Sequence, residues 1–165
     1  MNAHDYIEIR SRLPIAQVAL GYTTVAIFSE LELEEAQVGY SVSDSGERFT
    51  GVKKGDWKES WLVIGTEDLC GDPIFVDLDM PDLPVFTAAH GQGEWIPVMI
   101  AGSFEGFGKA LEEIERISDR RQNPVQLQRN PLPVGERERV LRRIAELKPN
   151  AALEFWESLV LGLAA

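Results

Sequence analysis

Apolar positions recur along this chain with two different periods, and the change between them divides it. Up to Ala101 the apolar runs are short and broken by Gly, Pro and Asp clusters. Trp61 to Gly65, Ile74 to Leu78, Val85 to Ala89 and Trp95 to Ala101 each read as a strand, the last despite Pro97. From Ser103 the spacing becomes helical: Phe104, Phe107, Leu111, Ile114 and Ile117 share one face, with Glu112, Glu113, Glu115 and Arg116 opposite. That amphipathic helix is expected to lie on the sheet.

Ahead of these elements, residues 2–12 predict a short helix started by Asn2 and stopped before Pro14, because proline disfavours helical geometry in the residue before it. Residues 15–28 carry the β-branched run Thr23, Thr24, Val25 and Ile27 and predict a first strand. Ser29 and Glu32 have capping-box spacing, which predicts a two-turn helix to about Gln37. Val38 to Val42, the turn Asp44-Ser45-Gly46 and Arg48 to Thr50 then predict a hairpin.

After the long helix, the segment Arg120 to Val134 holds Pro124, Pro131 and Pro133 and reads as a loop. Glu136 to Leu147 sets Val140, Leu141, Ile144 and Leu147 on one face and is ended by Pro149. Asn150 then caps a final helix carrying Leu153, Trp156, Leu159, Val160 and Leu163. Strands grouped centrally with helices at both ends define an α+β fold. The expectation is a single domain over residues 1–165, with a mixed or mostly antiparallel sheet of four to six strands flanked by N-terminal and C-terminal helices. Residues 120–165 would form a C-terminal helical extension of it.

Composition fits this reading: 165 residues, 44% hydrophobic, suffice for one substantial core. Charge adds something the pattern does not show. The net charge is −11, and residues 1–100 carry 6 bases against 17 acids while residues 101–165 carry 10 of each. Between Lys58 and Lys109 there is no base at all and there are nine acids: Glu59, Glu67, Asp68, Asp72, Asp77, Asp79, Asp82, Glu94 and Glu105. Such a field repels nucleic acid and anionic membrane and steers basic proteins inward.

The lone Cys70 has no partner for an internal disulfide and reads as a structural turn or strand-end residue. The N-terminus has acids and no apolar core of a secretory signal, and no apolar run approaches membrane-spanning length, so a soluble cytoplasmic protein is expected.

Candidate chemistry is sparse. Asp77 and Asp79 fall on one side of a strand and could pair on a cation, yet read better as a solvated strand end. Asp72, in Gly71-Asp72-Pro73, reads as a turn builder. His4 and His90 are the only histidines, no Gly-x-Ser-x-Gly elbow accompanies them, and Gly91 and Gly93 do not open a helix as a nucleotide cradle would. No metal or cofactor is expected. Of the four tryptophans, Trp61 and Trp156 sit inside periodic apolar patterns and read as core, whereas Trp57 and Trp95, in turn-rich acidic contexts, read as interface anchors.

Several stretches taken in order resemble the SUKH superfamily, the group of yeast cell-wall synthesis regulator-like proteins and bacterial immunity proteins. They are Gln37-Val38-Gly39-Tyr40, Trp57 with Trp61 and Leu62 to Gly65, Gly71 to Asp77, Pro84-Val85 with His90, and Ala101 to Leu111. The likeness spans roughly residues 25–115 and leaves out the segment from Arg120 onward. It implies an α+β domain without enzymatic chemistry and, for bacterial members, neutralisation of a cognate toxin. It also implies that Trp61, Gly71, Asp72 and Asp77 are mainly structural.

The resulting expectation is a non-enzymatic protein-binding domain whose acidic face occludes a partner such as a basic toxin domain. Trp57, Asp68, Asp72, Asp77, Asp79, Asp82, Glu94 and Trp95 are the contact candidates. Two competitors stand beside it: a regulatory scaffold binding a cellular protein, and a small metal-assisted hydrolase built on Asp72, Asp77, Asp79 and His90.

Overall fold

The computed structural model describes residues 3–147 and 151–161. Among the described residues the fold is α+β, a six-stranded antiparallel sheet with five α-helices, and the strands follow one another in chain order across it. They are β1 (Gln17–Leu20), β2 (Thr23–Ile27), β3 (Trp61–Glu67), β4 (Pro73–Asp77), β5 (Val85–Thr87) and β6 (Val98–Ala101). Helix α1 (Ala3–Arg10) precedes the sheet, and α2 (Phe104–Ser118), α3 (Pro124–Arg129), α4 (Val134–Leu147) and α5 (Glu154–Leu161) follow it. The expected caps Asn2 and Asn150, the stop at Pro149 and the apolar Leu163 lie outside the described residues.

Strand alternation sends side chains to two faces, and each face has its own cover. On one face Val25, Ile27, Ile64, Ile74, Val76, Val85 and Ile100 meet Phe104, Phe107, Leu111 and Ile114 of α2. Val140 and Ile144 of α4 and Trp156, Leu159 and Val160 of α5 belong to the same cluster, so the last helices are part of the core. The Ser103 hydroxyl accepts from the Gly106 amide at 3.0 Å and starts α2, supplying one of the acceptors a helix start otherwise lacks. The Trp156 indole donates to the Ile100 carbonyl at 2.9 Å and fixes α5 to β6.

On the other face Trp61, Val63 and Phe75 pack with Trp57 and Ala88, and with the partly buried Phe28, Tyr40, Phe86 and Trp95. Among the described residues no α-helix packs in this cluster; residues 28–60, the connection between β2 and β3, cover it, Ala36 included. Alternation along β3 sends Trp61 and Val63 to the aromatic side and Leu62 and Ile64 to the helical side, and a register shift against β4 falls between Val63 and Gly65.

Four local expectations are corrected. Residues 15–28 form the hairpin β1–β2, because Gly21, at φ +61°, takes the left-handed conformation that glycine tolerates and reverses the chain between Leu20 and Thr23. Ser29 and Glu32 do not start a helix: the Glu32 carboxylate accepts from the Ser29 amide and from its hydroxyl, so that hydroxyl donates instead of capping. Only a 3-10 turn, Glu35–Gln37, follows. The hairpin expected over residues 38–50 is an irregular loop holding single bridges, Val38 to Val42 and Val42 to Arg48. The loop expected over residues 120–134 contains α3, whose Pro124 sits in the first turn, where its missing amide costs nothing, with the Asn123 side chain capping Gln126 at 2.9 Å.

Candidate functional site

The connection over residues 28–60 is far longer than the roughly 12–15 residues beyond which an unstructured loop is usually functional. Gln37 pins it in place. Its side-chain amide donates to the Leu33 and Val63 carbonyls, both at 2.8 Å, and its oxygen accepts from the Val63 amide at 3.0 Å, pairing with β3 as a neighbouring strand would. Beyond it, the Trp95 amide donates to the Gly55 carbonyl at 2.8 Å and joins the β5–β6 connection to this loop.

Trp57 is the hub between the loops. It is 1% exposed, its ring lies 4.8–5.3 Å from those of Tyr40, Trp61, Phe75 and Trp95, and its indole donates to the Trp61 carbonyl at 3.2 Å. The expectation of an interface anchor is therefore corrected: Trp57 is core, because the loops fold over it. Trp61, expected as core, is core, and its indole donates to Asp77 Oδ2 at 3.2 Å.

Asp77 is likewise buried and not a surface acid. Its Oδ1 accepts from the Asp79 amide at 3.1 Å and its carbonyl from the Met80 amide at 3.2 Å, so it closes the turn after β4. The strand ends at Asp77, and the period-two argument that paired it with the exposed Asp79 ends there too.

The other candidates separate into two groups. Asp79 and Asp82 are exposed beyond the C-terminal end of β4. Asp68 and Asp72 lie at its opposite end, about 16 Å away at 3.3 Å per residue over the five residues of the strand. Asp68 is exposed and its carboxylate accepts from the Thr24 amide. Asp72 is half-buried, and its Oδ1 faces His90 Nδ1 at 2.7 Å and the His90 amide at 3.0 Å. Asp72 and His90 are thus together and Asp77 and Asp79 are not with them, so the residues of the hydrolase reading do not converge.

Trp95, Glu94 and Ile96 form the accessible edge of the aromatic cluster. Trp95 is half-buried, 5.5 Å from the Tyr40 ring, while Glu94 and Ile96 are exposed. Burial and, after it, the nearby Asp72 charge raise the pKa of the Tyr40 phenol above its ordinary value. Phe49 and Val52, on the long loop, are also exposed. Bases border this edge: the loop carries Arg48, Lys53, Lys54 and Lys58, with Arg48 paired to Glu59 and Lys58 5.2 Å from the Trp61 ring centroid.

Sequence reasoning missed Glu67. It is buried at the end of β3, and its carboxylate accepts from the amides of Leu69 (3.0 Å), Cys70 (3.0 and 3.2 Å) and Asp72 (3.1 Å), which shapes the β3–β4 turn. No sequence signal sets it apart from the other acids of the base-free run, because the amides it satisfies converge only once the turn has formed. Cys70 is exposed in this turn; partial desolvation, then Glu67 and Asp72, raise the pKa of its thiol, the opposite of what activates a nucleophile.

No family model, curated protein or solved structure matches the chain. Among the described residues, no helix is long and apolar enough to cross a membrane.

Proposed function

We propose that this chain is a non-enzymatic, cytoplasmic protein-binding domain, similar to SUKH immunity proteins, that occludes a basic protein partner such as a bacterial toxin domain. The observation that carries the reading is the edge at Trp95. A half-buried tryptophan, held by Trp57 and Tyr40, stands between exposed Glu94 and Ile96 in a stretch without a single base. A pre-packed aromatic with one apolar and one acidic neighbour, beside a loop that carries bases, has the composition of a binding hot spot, since its ordering cost is already met by the fold. Asp68, Asp72, Asp79 and Asp82, distributed at both ends of β4, supply the longer-range field that draws a basic partner and repels nucleic acid and anionic membranes.

The test starts with the tagged chain as bait in its native cells, with neighbouring reading frames inspected for a toxin-like gene, and continues on the purified pair. The expected result is a basic partner, inhibited on binding. Its association slows steeply with added salt, and Trp95→Ala weakens its affinity by at least tenfold while the melting temperature stays close to that of the parent. A salt-insensitive association rate together with an unaffected Trp95→Ala complex would overturn the proposal.

A further inference from the structure

The outer surface of the helices carries a charge opposite to that of the base-free run. Residues 116–143 hold eight of the chain's 16 bases, all of them arginine, against three acids. Four of the eight, Arg116 of α2 and Arg139, Arg142 and Arg143 of α4, line one groove of about 360 Å³ between the two helices, with buried Val140 in its wall. Because α2 covers the face of the sheet opposite the aromatic cluster, this groove is separate from the Trp95 edge.

These arginines are oriented but keep most of their donors. The Glu113 carboxylate, 16% exposed, accepts from Arg116 Nη1 at 2.7 Å and lies 3.7 Å from Arg143 Nε, so one acid orients guanidiniums from both helices. Arg139 lies 3.6 Å from Glu136 and Arg143 3.5 Å from Glu146, beyond good hydrogen-bond length. Arg142 has no carboxylate partner among the described residues, and all four arginines are exposed. A guanidinium presents its N–H donors in a flat fork that matches the two oxygens of a carboxylate, so the groove offers a surplus of oriented donors to an incoming acid.

The layout of the forks selects the acid. Arg139 and Arg143 are four apart on α4 and Arg139 and Arg142 three apart, which sets neighbours about 5–6 Å from each other between Cβ atoms. Carboxylates at alternate positions of an extended chain lie about 6–7 Å apart on one side. A row of forks at that spacing suits several carboxylates in line, whereas a single ion is held by donors converging on one point. We propose that the groove between α2 and α4 docks an extended acidic segment of a partner protein, with Asp or Glu at alternate positions. Arg139, Arg142 and Arg143 take its carboxylates, and Arg116 closes the row from α2. Glu113 is a positioning residue that holds Arg116 and Arg143 across the groove.

Fluorescence anisotropy of a short labelled peptide with Asp at alternate positions, mixed with the full chain at low salt, tests the groove. The peptide is expected to bind, its Asn counterpart not to, and added salt to weaken the complex. Arg139→Gln combined with Arg143→Gln should weaken it about tenfold while the melting temperature stays close to the parent's, because both side chains are exposed. Lysine at the same two positions keeps the charges and loses the forks, so Arg139→Lys with Arg143→Lys should restore only part of the affinity. Arg12→Gln, an exposed arginine outside the groove, should change nothing. No binding of the Asp peptide, equal affinity in the double glutamine variant, or an equal loss in Arg12→Gln would overturn the site. Displacement by inorganic phosphate at a lower concentration than by unlabelled peptide would overturn the peptide as occupant and give the groove to a phosphate ion. Trp95→Ala should leave the peptide bound, so this proposal and that of the contact edge fail separately.

Discussion

Trp57→Ala separates the two roles that a tryptophan in this loop can have. The side chain is fully enclosed, four aromatic rings surround it within 5.3 Å, and it lies in irregular chain tied by a single bridge, the Gly51 amide donating to the Trp57 carbonyl at 3.0 Å. Truncating a buried aromatic to alanine costs about 3–5 kcal/mol, the spread reflecting how far the site collapses. Loss of the indole bond to the Trp61 carbonyl, worth about 1 kcal/mol, falls within that range rather than on top of it. Against a total stability of about 5–15 kcal/mol, this single change removes a fifth or more. Trp95→Ala, at a half-exposed edge, is expected to cost about 1 kcal/mol.

Urea unfolding followed by far-ultraviolet circular dichroism measures both, because tryptophan emission would change with the substitutions themselves. The midpoint should fall far for Trp57→Ala and slightly for Trp95→Ala, with slopes like the parent's. A loss below about 1 kcal/mol for Trp57→Ala would refute the argument that the loops fold over it, since an enclosed aromatic cannot be deleted so cheaply.

Four further substitutions test other parts of the fold by the same unfolding assay. A Cβ at Gly65 would stand 2.3 Å from the Ala26 carbonyl oxygen, so Gly65→Ala must move backbone between β2 and β3 and should cost about 3 kcal/mol, whereas Gly102→Ala, with open space around it, should change stability by less than about 0.5 kcal/mol. Glu67→Gln replaces an oxygen that accepts amides with a group that donates, and a loss of about 2–3 kcal/mol is expected; an unchanged midpoint would dismiss Glu67 as the organiser of the turn. The Tyr6 hydroxyl is buried with no partner among the described residues, so Tyr6→Phe should stabilise by about 1 kcal/mol at neutral pH. Burial, opposed by Arg10, raises the Tyr6 pKa above its ordinary 10.0, so the folded state keeps a proton that the unfolded state loses, and stability should fall as pH rises past 10 in the parent more than in Tyr6→Phe.

What the sequence made legible was whatever a single period expresses. The stripe Phe104, Phe107, Leu111, Ile114 and Ile117 became α2, and the four apolar runs after Trp57 became β3 to β6, displaced by one to three residues at their ends. Failures came where a local signal met a tertiary competitor. Gly21 was hidden inside a β-branched run that reads equally well as one strand or two. The Ser29 capping signal lost to Gln37, whose side chain pairs with β3 26 residues away and holds the chain out of helix. Of the proposed contact residues, Glu94 and Asp72 were visible as charges, but nothing near Trp57 in the sequence announces that two distant loops close over it, and Asp77 was buried by a tryptophan sixteen positions earlier.

The two covers of the sheet differ in what they leave available. Helices satisfy their own backbone, so the helical side can be buried against apolar residues at little polar cost. A loop cannot do this, and residues 28–60 meet their backbone needs through side chains such as Gln37 and through turns that push Phe49 and Val52 outward. Because Trp57 anchors the loop from beneath, the outer residues are free of any duty to the core. On the proposed reading, substitutions at Glu94, Trp95 or Ile96 alter what is bound while Trp57, Trp61 and Phe75 keep the sheet covered. On this arrangement, binding and stability are separable on the aromatic side and inseparable within the helical core. A substitution at Phe107 or Ile144, both wholly buried, has no route to a partner except through unfolding.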